Sequence, residues 1–264
     1  MRNFLNILKK AKLFAIDLIF PIECLGCGCE GDWLCFSCFR KLTLNQRHYC
    51  LACKTENNFG EICPICRPDY ALSGVWIAGD YENPILSKLI RSLKYRFAED
   101  ISLILANFLA LYLKNLINAS KATPFDLGAN LGWRRFETIK NSPRILLEFK
   151  NTLLIPVPLH KKRERWRGFN QAKTIAELLA IKFKLPLATG LIRLKHRPPQ
   201  AKLSEIERKK NVVGCYAWQG NNLNGQNIIL LDDVATTGST LNECARTLKR
   251  ARAGEIWGLV VAKG

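Results

Sequence analysis

Residues 228–240 constrain the fold of this chain more than any other stretch of its 264 residues. Four apolar β-formers are followed by Asp232 and Asp233, by a turn of hydroxyl residues around Gly238, and by a helix predicted over residues 241–252. A buried strand that places polar residues at its carboxyl end is typical of an open parallel sheet, where ligands bind. Backbone N–H groups, hydroxyls and the helix dipole of such a turn hold a phosphate. Helix capping would explain one hydroxyl and one acid, but not two adjacent acids and four hydroxyls.

The same run resembles the phosphoribosyl-pyrophosphate (PRPP) motif of type I phosphoribosyltransferases at all thirteen of its positions. The two acids, Asp232 and Asp233, would accept hydrogen bonds from neighbouring ribose hydroxyls, and we expect them to be the catalytic acids. The 5-phosphate would lie against the six residues of the turn, which are Ala235, Thr236, Thr237, Gly238, Ser239 and Thr240.

The positive charge of the chain lies almost entirely in the region that carries this motif. The formal net charge is +18, of which +16 falls on residues 71–264. A field of this size attracts polyanions, either a pyrophosphorylated sugar or nucleic acid, although a merely solubilising surface would also be basic. With 48% hydrophobic and 23% charged residues, the composition is that of a folded globular protein.

No apolar run reaches the ~18 residues that span a bilayer, so no transmembrane segment is predicted. Residues 1–20 combine basic residues with an apolar stretch that superficially resembles a signal peptide. Their apolar spacing equally fits a helix that docks on the protein's own core, and no small-residue cleavage site precedes the cysteines. We therefore predict an N-terminal amphipathic helix over residues 1–20.

Nine of the eleven cysteines lie between residues 24 and 66, and eight of them form Cys-x-x-Cys pairs. Two such pairs complete a tetrahedral zinc site. Disulfides are a weaker interpretation because nine is an odd number. Sequential pairing gives two consecutive ribbons, interleaved pairing gives a cross-brace, and a single four-cysteine site is a third possibility. The candidate zinc ligands are Cys24, Cys27, Cys35, Cys38, Cys50, Cys53, Cys63 and Cys66, with Cys29 left over.

The rest of the chain alternates between apolar strands and amphipathic helices, as expected of an α/β domain. Strands are predicted over 72–80, 153–159, 212–218 and 255–262, and helices from Pro84 onward, over 101–116 and over 172–183. Residues 117–150 lose this periodicity, and we predict an irregular insertion there.

A second anion-binding site is predicted at the carboxyl end of the strand over 153–159. A basic loop that contains a glycine follows the strand there. Its position suits the pyrophosphate of the same ligand, held by Lys161, Lys162, Arg163, Arg167, Gly168 and Asn170. The basic, proline-bearing residues 193–211 suit a mobile flap that closes over the anion and excludes water, and a charged surface hairpin is the alternative. The candidate flap contacts are Gln200, Lys202 and Arg208.

Taken together, these features resemble the ComF family of competence-associated, phosphoribosyltransferase-like proteins. The resemblance is carried by the four Cys-x-x-Cys pairs, Leu93-Lys94-Tyr95, Ile155-Pro-Val-Pro158, Arg167-Gly-Phe-Asn-Gln171 and the run over 231–240. It implies a double zinc ribbon over 21–70 fused to a type I phosphoribosyltransferase-like domain over 71–264, whose parallel sheet has flanking helices. It also implies PRPP and Mg²⁺ as ligands and two structural zinc ions in consecutive ribbons. The family's role is in DNA uptake on the cytoplasmic side, so any membrane association would come through partners in the uptake machinery.

Three functions are compatible with these features. An enzyme would displace pyrophosphate from PRPP with a nitrogen nucleophile, by electrostatic stabilisation of the leaving group. A non-catalytic factor of natural transformation would instead bind single-stranded DNA through its basic domain. A PRPP-sensing regulator would report ligand binding to a partner through the zinc module. The residues favour PRPP binding in the service of DNA uptake and do not specify the acceptor.

Overall fold

The computed structural model describes residues 21–95, 99–121, 149, 151–195 and 212–264. Its strands are β1 (His48–Tyr49), β2 (Glu56–Asn57), β3 (Gly74–Asp80), β4 (Thr152–Pro156), β5 (Leu191–Arg193), β6 (Tyr216–Trp218), β7 (Asn227–Ala235) and β8 (Ile256–Lys263). Its helices are α1 (Phe36–Phe39), α2 (Pro84–Tyr95), α3 (Ile101–Lys121), α4 (Lys161–Arg167), α5 (Gln171–Phe183) and α6 (Ser239–Arg250), with a 3₁₀ turn over Arg67–Asp69. Four strands form a parallel sheet in the order β3-β8-β7-β4, which confirms the predicted α/β class.

The central sheet is buried on both faces because its strands are continuous apolar runs. On β7, Ile229 and Leu231 point to a core shared with α2, α3 and α5, whereas Ile228 and Leu230 point to a core shared with α6. Each fully buried aliphatic side chain contributes about 1.5–3 kcal/mol. These two cores fix the carboxyl end of β7, where the acid pair lies.

The longest helix, α3, is apolar because it packs inside the molecule. Residues 101–119 are long and apolar enough to cross a membrane, with a mean hydropathy of 1.5, but 56% of that window is buried. The buried side chains include Leu105, Leu109 and Leu113, which share a core with α2, α5 and the sheet. The helix continues to Lys121, so the first five residues of the predicted irregular insertion are helical, since their sequence contains no glycine or proline.

Residues 21–70 contribute side chains to both cores of the central sheet. Cys24, Leu34 and Cys38 belong to the core that contains α2 and α3, whereas Leu51 and Ile62 belong to the core that contains α6. A short antiparallel pair, β1 with β2, lies within this region. The cysteine-rich region is thus packed against opposite faces of one sheet.

The segment predicted as a basic loop after β4 is the short helix α4. The His160 side chain caps it, since its Nδ1 accepts a hydrogen bond from the Lys162 N–H at 3.1 Å. Gly168 ends it in the left-handed conformation, with φ of 84°. No proline or glycine interrupts residues 161–167, so the local sequence permits a helix there.

The predicted strand bounds shift by a few residues throughout, and two strands differ most from their predictions. The strand predicted over 212–218 begins only at Tyr216, because Gly214 adopts a positive φ of 65° in a preceding turn. It pairs with β5 in a separate antiparallel sheet. The strand β7 runs through both acids to Ala235, because β8 pairs with it along this length, as in the Asp232–Val260 register. The acids therefore lie within the strand rather than after it.

Helix α6 begins at Ser239, two residues earlier than predicted, and ends at Arg250, because Arg252 adopts a positive φ of 62°. The helix predicted over residues 1–20, the flap contacts Gln200, Lys202 and Arg208, and residues 122–148 lie outside the described residues.

Candidate active site

The hydroxyl turn forms a compact cradle between β7 and α6. Gly238 adopts the left-handed conformation, with φ of 69°, which lets the chain reverse into the helix. The hydroxyl oxygens of Thr237 and Ser239 lie 2.7 Å apart, and Thr237 Oγ1 also accepts a hydrogen bond from the Ser239 N–H at 3.4 Å. Together with the first N–H groups of a twelve-residue helix, these hydroxyls could hold one phosphate.

The two acids of β7 alternate between the faces of the sheet, as adjacent strand residues do. Asp233 is 4% exposed and lies on the face of α2, where its Oδ2 is 2.7 Å from Lys94 Nζ. Asp232 lies on the face of α6, near Cys244, and its Oδ1 accepts a hydrogen bond from the Asp233 N–H at 2.9 Å. The pair therefore presents one neutralised carboxylate and one without an ion-pair partner among the described residues.

Burial and neighbouring charges set the protonation of this site. Burial of the Asp232 carboxyl group, and then the charge of Asp233, raise the pKa of Asp232 to about 8, although Lys94 opposes the shift. Burial would lower the pKa of Lys94, but the carboxylate of Asp233 outweighs it and raises that pKa above its ordinary value. The protein without ligand thus disfavours a negative charge on Asp232.

The substitution Asp232→Asn is expected to stabilise the ligand-free protein at alkaline pH. A folded-state pKa raised above the unfolded value of 3.8 gives stability that is complete below that value and is lost as the pH rises towards 8. A gain of about 1 kcal/mol would raise Tm by about 2–4 °C. Thermal unfolding of wild type and variant at about pH 5 and about pH 8.5 measures this, and the gain should grow with pH. An equal Tm difference between wild type and variant at both pH values would contradict a raised pKa of Asp232.

Arg163 and Arg167 lie four residues apart on one side of α4, and Arg167 is near Asp233. Arg167 is 7% exposed, hydrogen-bonds Gln171 and lies with its guanidinium 5.9 Å from the Tyr95 ring centroid. Burial lowers the pKa of Arg167, and Asp233 opposes this shift. Arg163 is partly buried beside Arg193. These cations lie where the pyrophosphate of a phosphoribosyl ligand was expected.

The other predicted pyrophosphate contacts have different positions. Lys161 and Lys162 are exposed on α4. Asn170 is buried and has a structural role, because its Oδ1 caps α5 through the Ala172 N–H at 3.0 Å and its Nδ2 donates to the Val157 carbonyl at 3.1 Å. Gly168 closes α4.

Two basic residues at this site were not predicted as site residues. Lys94 comes from α2 and Arg193 from β5, whose guanidinium lies 5.6 Å from the Tyr216 ring centroid. Arg167 and Arg193 each keep a buried Nε–H without a hydrogen-bond partner among the described residues. Such donors would be satisfied by an anion. The one signal for Lys94 was its place in the family-like Leu93-Lys94-Tyr95 segment.

The cysteine sulfurs gather into two groups of four that follow the sequential pairing. We call Cys24, Cys27, Cys35 and Cys38 the first cluster, and Cys50, Cys53, Cys63 and Cys66 the second cluster. Within each cluster all four sulfurs lie within 4.8 Å of one another, and the closest recorded spacings are 3.7 Å and 3.6 Å. A tetrahedral zinc ion with Zn–S bonds of about 2.3 Å requires spacings of about 3.8 Å. Both clusters therefore fit zinc, while Cys29 is exposed outside them.

The second cluster directly supports the hydroxyl turn. Leu51 packs so closely on Gly238 that any side chain at that glycine would collide with it. Beyond the last ligand, the Asp69 carbonyl accepts a hydrogen bond from Arg246 Nη2 at 2.8 Å, and the Ala71 N–H donates to Asn242 Oδ1 at 2.8 Å. Because Asn242 and Arg246 belong to α6, the second cluster holds the helix that begins at the hydroxyl turn.

The fold and this site define the class of the protein: a type I phosphoribosyltransferase-like α/β domain joined to two four-cysteine clusters. The chain is 31% identical over 215 residues to competence protein ComFC of Bacillus subtilis, a match that covers 81% of this chain and 77% of that protein. It belongs to the ComF family.

Two further relatives match over nearly their whole length. Competence protein F of Haemophilus influenzae is 29% identical over 254 residues, which is 92% of this chain and 98% of that protein. DNA utilization protein YhgH of Escherichia coli K12 is 26% identical over 246 residues, which is 86% of this chain and 96% of that protein. No protein-family model matches the chain.

Proposed function

We propose that this protein binds PRPP at the carboxyl ends of β4 and β7 in the service of DNA uptake. The observation that carries the proposal is the convergence of an acid pair, a hydroxyl turn, the buried Arg167 and the partly buried Arg163 on one end of the sheet. The turn would hold the 5-phosphate and the acids the ribose hydroxyls, while Arg163, Arg167 and Arg193 would hold the pyrophosphate.

Magnesium would reach this site as a complex with the pyrophosphate. Among the described residues, only the two cysteine clusters bring three or more metal-ligating side chains together. Asp233 is paired with Lys94, so the acid pair is not a dedicated cation cage. Mg²⁺ is commonly bound through substrate phosphates and one or two carboxylates, which suits the site.

The link to DNA uptake rests on the relatives, two of which are named competence proteins and one a DNA utilization protein. Clusters of reduced thiolates suit a reducing compartment, so we place the protein on the cytoplasmic side, where it would meet the incoming strand. Contact with the membrane would then come through other uptake proteins.

The same geometry could transfer the phosphoribosyl group. A nitrogen lone pair of an acceptor would form a bond to ribose C1 as the C1–oxygen bond breaks, and pyrophosphate would leave with the bonding electrons. The acceptor would lose its proton to solvent. The protein's contribution would be electrostatic, since the arginines face the charge that develops on pyrophosphate.

The two sides of α4 give a matched test of PRPP binding. Arg163→Ala and Arg167→Ala are each expected to weaken Mg–PRPP binding about 10–100-fold, because each removes charge-assisted hydrogen bonds. Lys161→Ala and Arg165→Ala remove the same charge from the exposed side and should leave the Kd unchanged. Calorimetric titration measures both, and ribose 5-phosphate binding checks that the turn is intact. If variants on both sides of α4 weakened Mg–PRPP binding equally, Arg163 and Arg167 would not be the residues that bind the pyrophosphate.

A second candidate function is single-stranded DNA binding on the outer side of α4. Lys161, Lys162 and Arg165 are exposed there, and Trp166 is 61% exposed among them. Cations interleaved with an aromatic ring are typical of surfaces that bind single strands by charge and stacking. Fluorescence anisotropy should show salt-dependent DNA binding that Lys161→Ala and Arg165→Ala weaken and Arg163→Ala does not. Binding that all three variants leave unchanged would reject this surface.

A further inference from the structure

The fold holds the ammonium group of Lys94 in place at the proposed PRPP site. Lys94 is in the last turn of α2, a position that favours a cation because of the helix dipole. Leu93, just before it, is fully buried and anchors that turn of the helix in the core. Lys94 Nζ lies 2.7 Å from Asp233 Oδ2 on β7, and the Lys94 side chain is only 20% exposed. The protein therefore has a fixed cation at this end of the sheet.

Lys94 adjoins both the acids proposed for the ribose and an arginine proposed for the pyrophosphate. Burial lowers the pKa of Lys94, the nearby carboxylates of Asp233 and Asp232 raise it, and the nearby guanidinium of Arg167 lowers it. Arg167 is also near Asp233, whose charge opposes the effect of burial on the pKa of Arg167. Lys94, Asp233 and Arg167 thus form one group of neighbouring charges where the two halves of the ligand would meet.

The ammonium group of Lys94 has donors to spare for a ligand. It carries three N–H donors, and one of them suffices for Asp233 Oδ2. Among the described residues, Lys94 forms no second ion pair. Another of its donors can therefore bind a phosphate oxygen, while Asp233 keeps its Oδ1 for a ribose hydroxyl. A cation held by one carboxylate and one phosphate has the partners that Mg²⁺ commonly has in phosphate-binding sites.

The acid pair leaves little room for a metal ion of its own. Asp232 and Asp233 are adjacent in a strand and point to opposite faces of the sheet, so they cannot close on one ion together. An ion at Asp233 would have to displace Lys94 Nζ or lie beside it, and two cations about 4 Å apart repel strongly in a buried site. Within the described ranges, no third metal-ligating side chain joins the pair.

We propose that Lys94 takes the place of a second metal ion, bridging Asp233 and the pyrophosphate of PRPP. The site then binds PRPP with only the Mg²⁺ that the ligand itself carries. This inference rests on the proposed PRPP site and assigns Lys94 a direct contact with the ligand. By mass action, the affinity for PRPP should rise with at most the first power of the Mg²⁺ concentration.

Counting the ions tests this directly. Mn²⁺ occupies the same oxygen sites as Mg²⁺, and electron paramagnetic resonance measures its free concentration as it is titrated into zinc-loaded protein saturated with PRPP. The wild type should bind one Mn²⁺ per PRPP. Lys94→Met, which frees Asp233, should bind two, and Lys94→Arg, which keeps a cation, should bind one. Lys94→Met/Asp233→Asn lacks the carboxylate as well and should bind one.

The Mg²⁺ dependence of PRPP affinity is a second readout, measured by calorimetric titration at constant ionic strength. At low Mg²⁺, Lys94→Met should bind PRPP about 10–100-fold more weakly than the wild type, because it loses a charge-assisted hydrogen bond. High Mg²⁺ should restore most of that affinity in Lys94→Met, but not in Lys94→Met/Asp233→Asn. Lys182→Met makes the same change at an exposed position of α5 and should follow the wild type at every Mg²⁺ concentration.

The outcomes separate this inference from the proposed function. Two Mn²⁺ ions on the wild type, or the same Mg²⁺ dependence in Lys94→Met and wild type, would overturn the inference and leave PRPP binding standing. A loss of affinity in Lys94→Met that Mg²⁺ does not restore would also overturn it, because Lys94 would then not stand in for a metal. If Lys94→Met does not fold, restoration by Mg²⁺ in the double variant would overturn it. Absence of PRPP binding by the wild type would reject the proposed function itself.

Discussion

Removing zinc from the second cluster is expected to lower both the stability of this protein and its affinity for phosphate. Structural zinc contributes on the order of 10 kcal/mol in small domains, so the segment around the cluster should lose its fold. Leu51 would then no longer pack on Gly238, and the Asp69 carbonyl would no longer hold Arg246 of α6. The hydroxyl turn would lose its support from one side.

Three serine variants separate this effect from a general loss of metal. Cys63→Ser breaks the second cluster and should halve the zinc content, lower Tm and weaken ribose 5-phosphate binding at least about tenfold, or about 1.4 kcal/mol. Cys27→Ser breaks the first cluster, which the described contacts do not link to the turn, and should spare phosphate affinity. Cys29→Ser should leave the zinc content, Tm and ribose 5-phosphate affinity unchanged. If Cys63→Ser and the wild type bound ribose 5-phosphate equally well, the second cluster would not be what supports the hydroxyl turn.

Replacing Lys94 with methionine is expected to destabilise the protein by about 3 kcal/mol, because it leaves the buried Asp233 carboxylate without its partner. Methionine keeps most of the apolar stem, so the effect isolates the charge. This loss of stability is at the low end of the range for buried ion pairs, since the Lys94 side chain remains 20% exposed. Urea unfolding at neutral pH measures the loss.

The double variant Lys94→Met/Asp233→Asn is the matched control for this ion pair. It removes both charges, so most of the lost stability should return, as it does when a buried pair is replaced by neutral groups. A Lys94→Met variant as stable as the wild type would show that Lys94 does not stabilise the Asp233 carboxylate. A double variant less stable than Lys94→Met would contradict the same claim.

Much of the fold could be predicted from the sequence because its signals are local. The β7 run is a strand by composition alone, and Asn83 with Pro84 marks a helix start that the structure confirms through hydrogen bonds from the Ile85 and Leu86 N–H groups to Asn83 Oδ1 at 3.1 Å. Signals that depend on tertiary pairing were weaker. Whether Asp232 lies inside a strand or beyond it depends on how far β8 extends beside it.

The candidate site was only partly predictable for a related reason. The hydroxyl turn and both acids are contiguous in sequence, whereas Lys94 and Arg193 approach from elements far away in the chain. The basic stretch 161–167 offered five cations, and only the helical spacing of α4 shows that Arg163 and Arg167 share the inner side. The packing of the second cluster on Gly238 had no signal in the sequence at all.

The central claim is that the acid pair and hydroxyl turn bind PRPP, and a calorimetric titration of Mg–PRPP into zinc-loaded protein tests it most directly. Wild type should bind PRPP, and Asp232→Asn/Asp233→Asn should lose that binding. Glu177→Gln removes a half-exposed surface carboxylate from α5 and should bind as wild type does. No binding by the wild type, or equal binding by the double variant, would contradict the account.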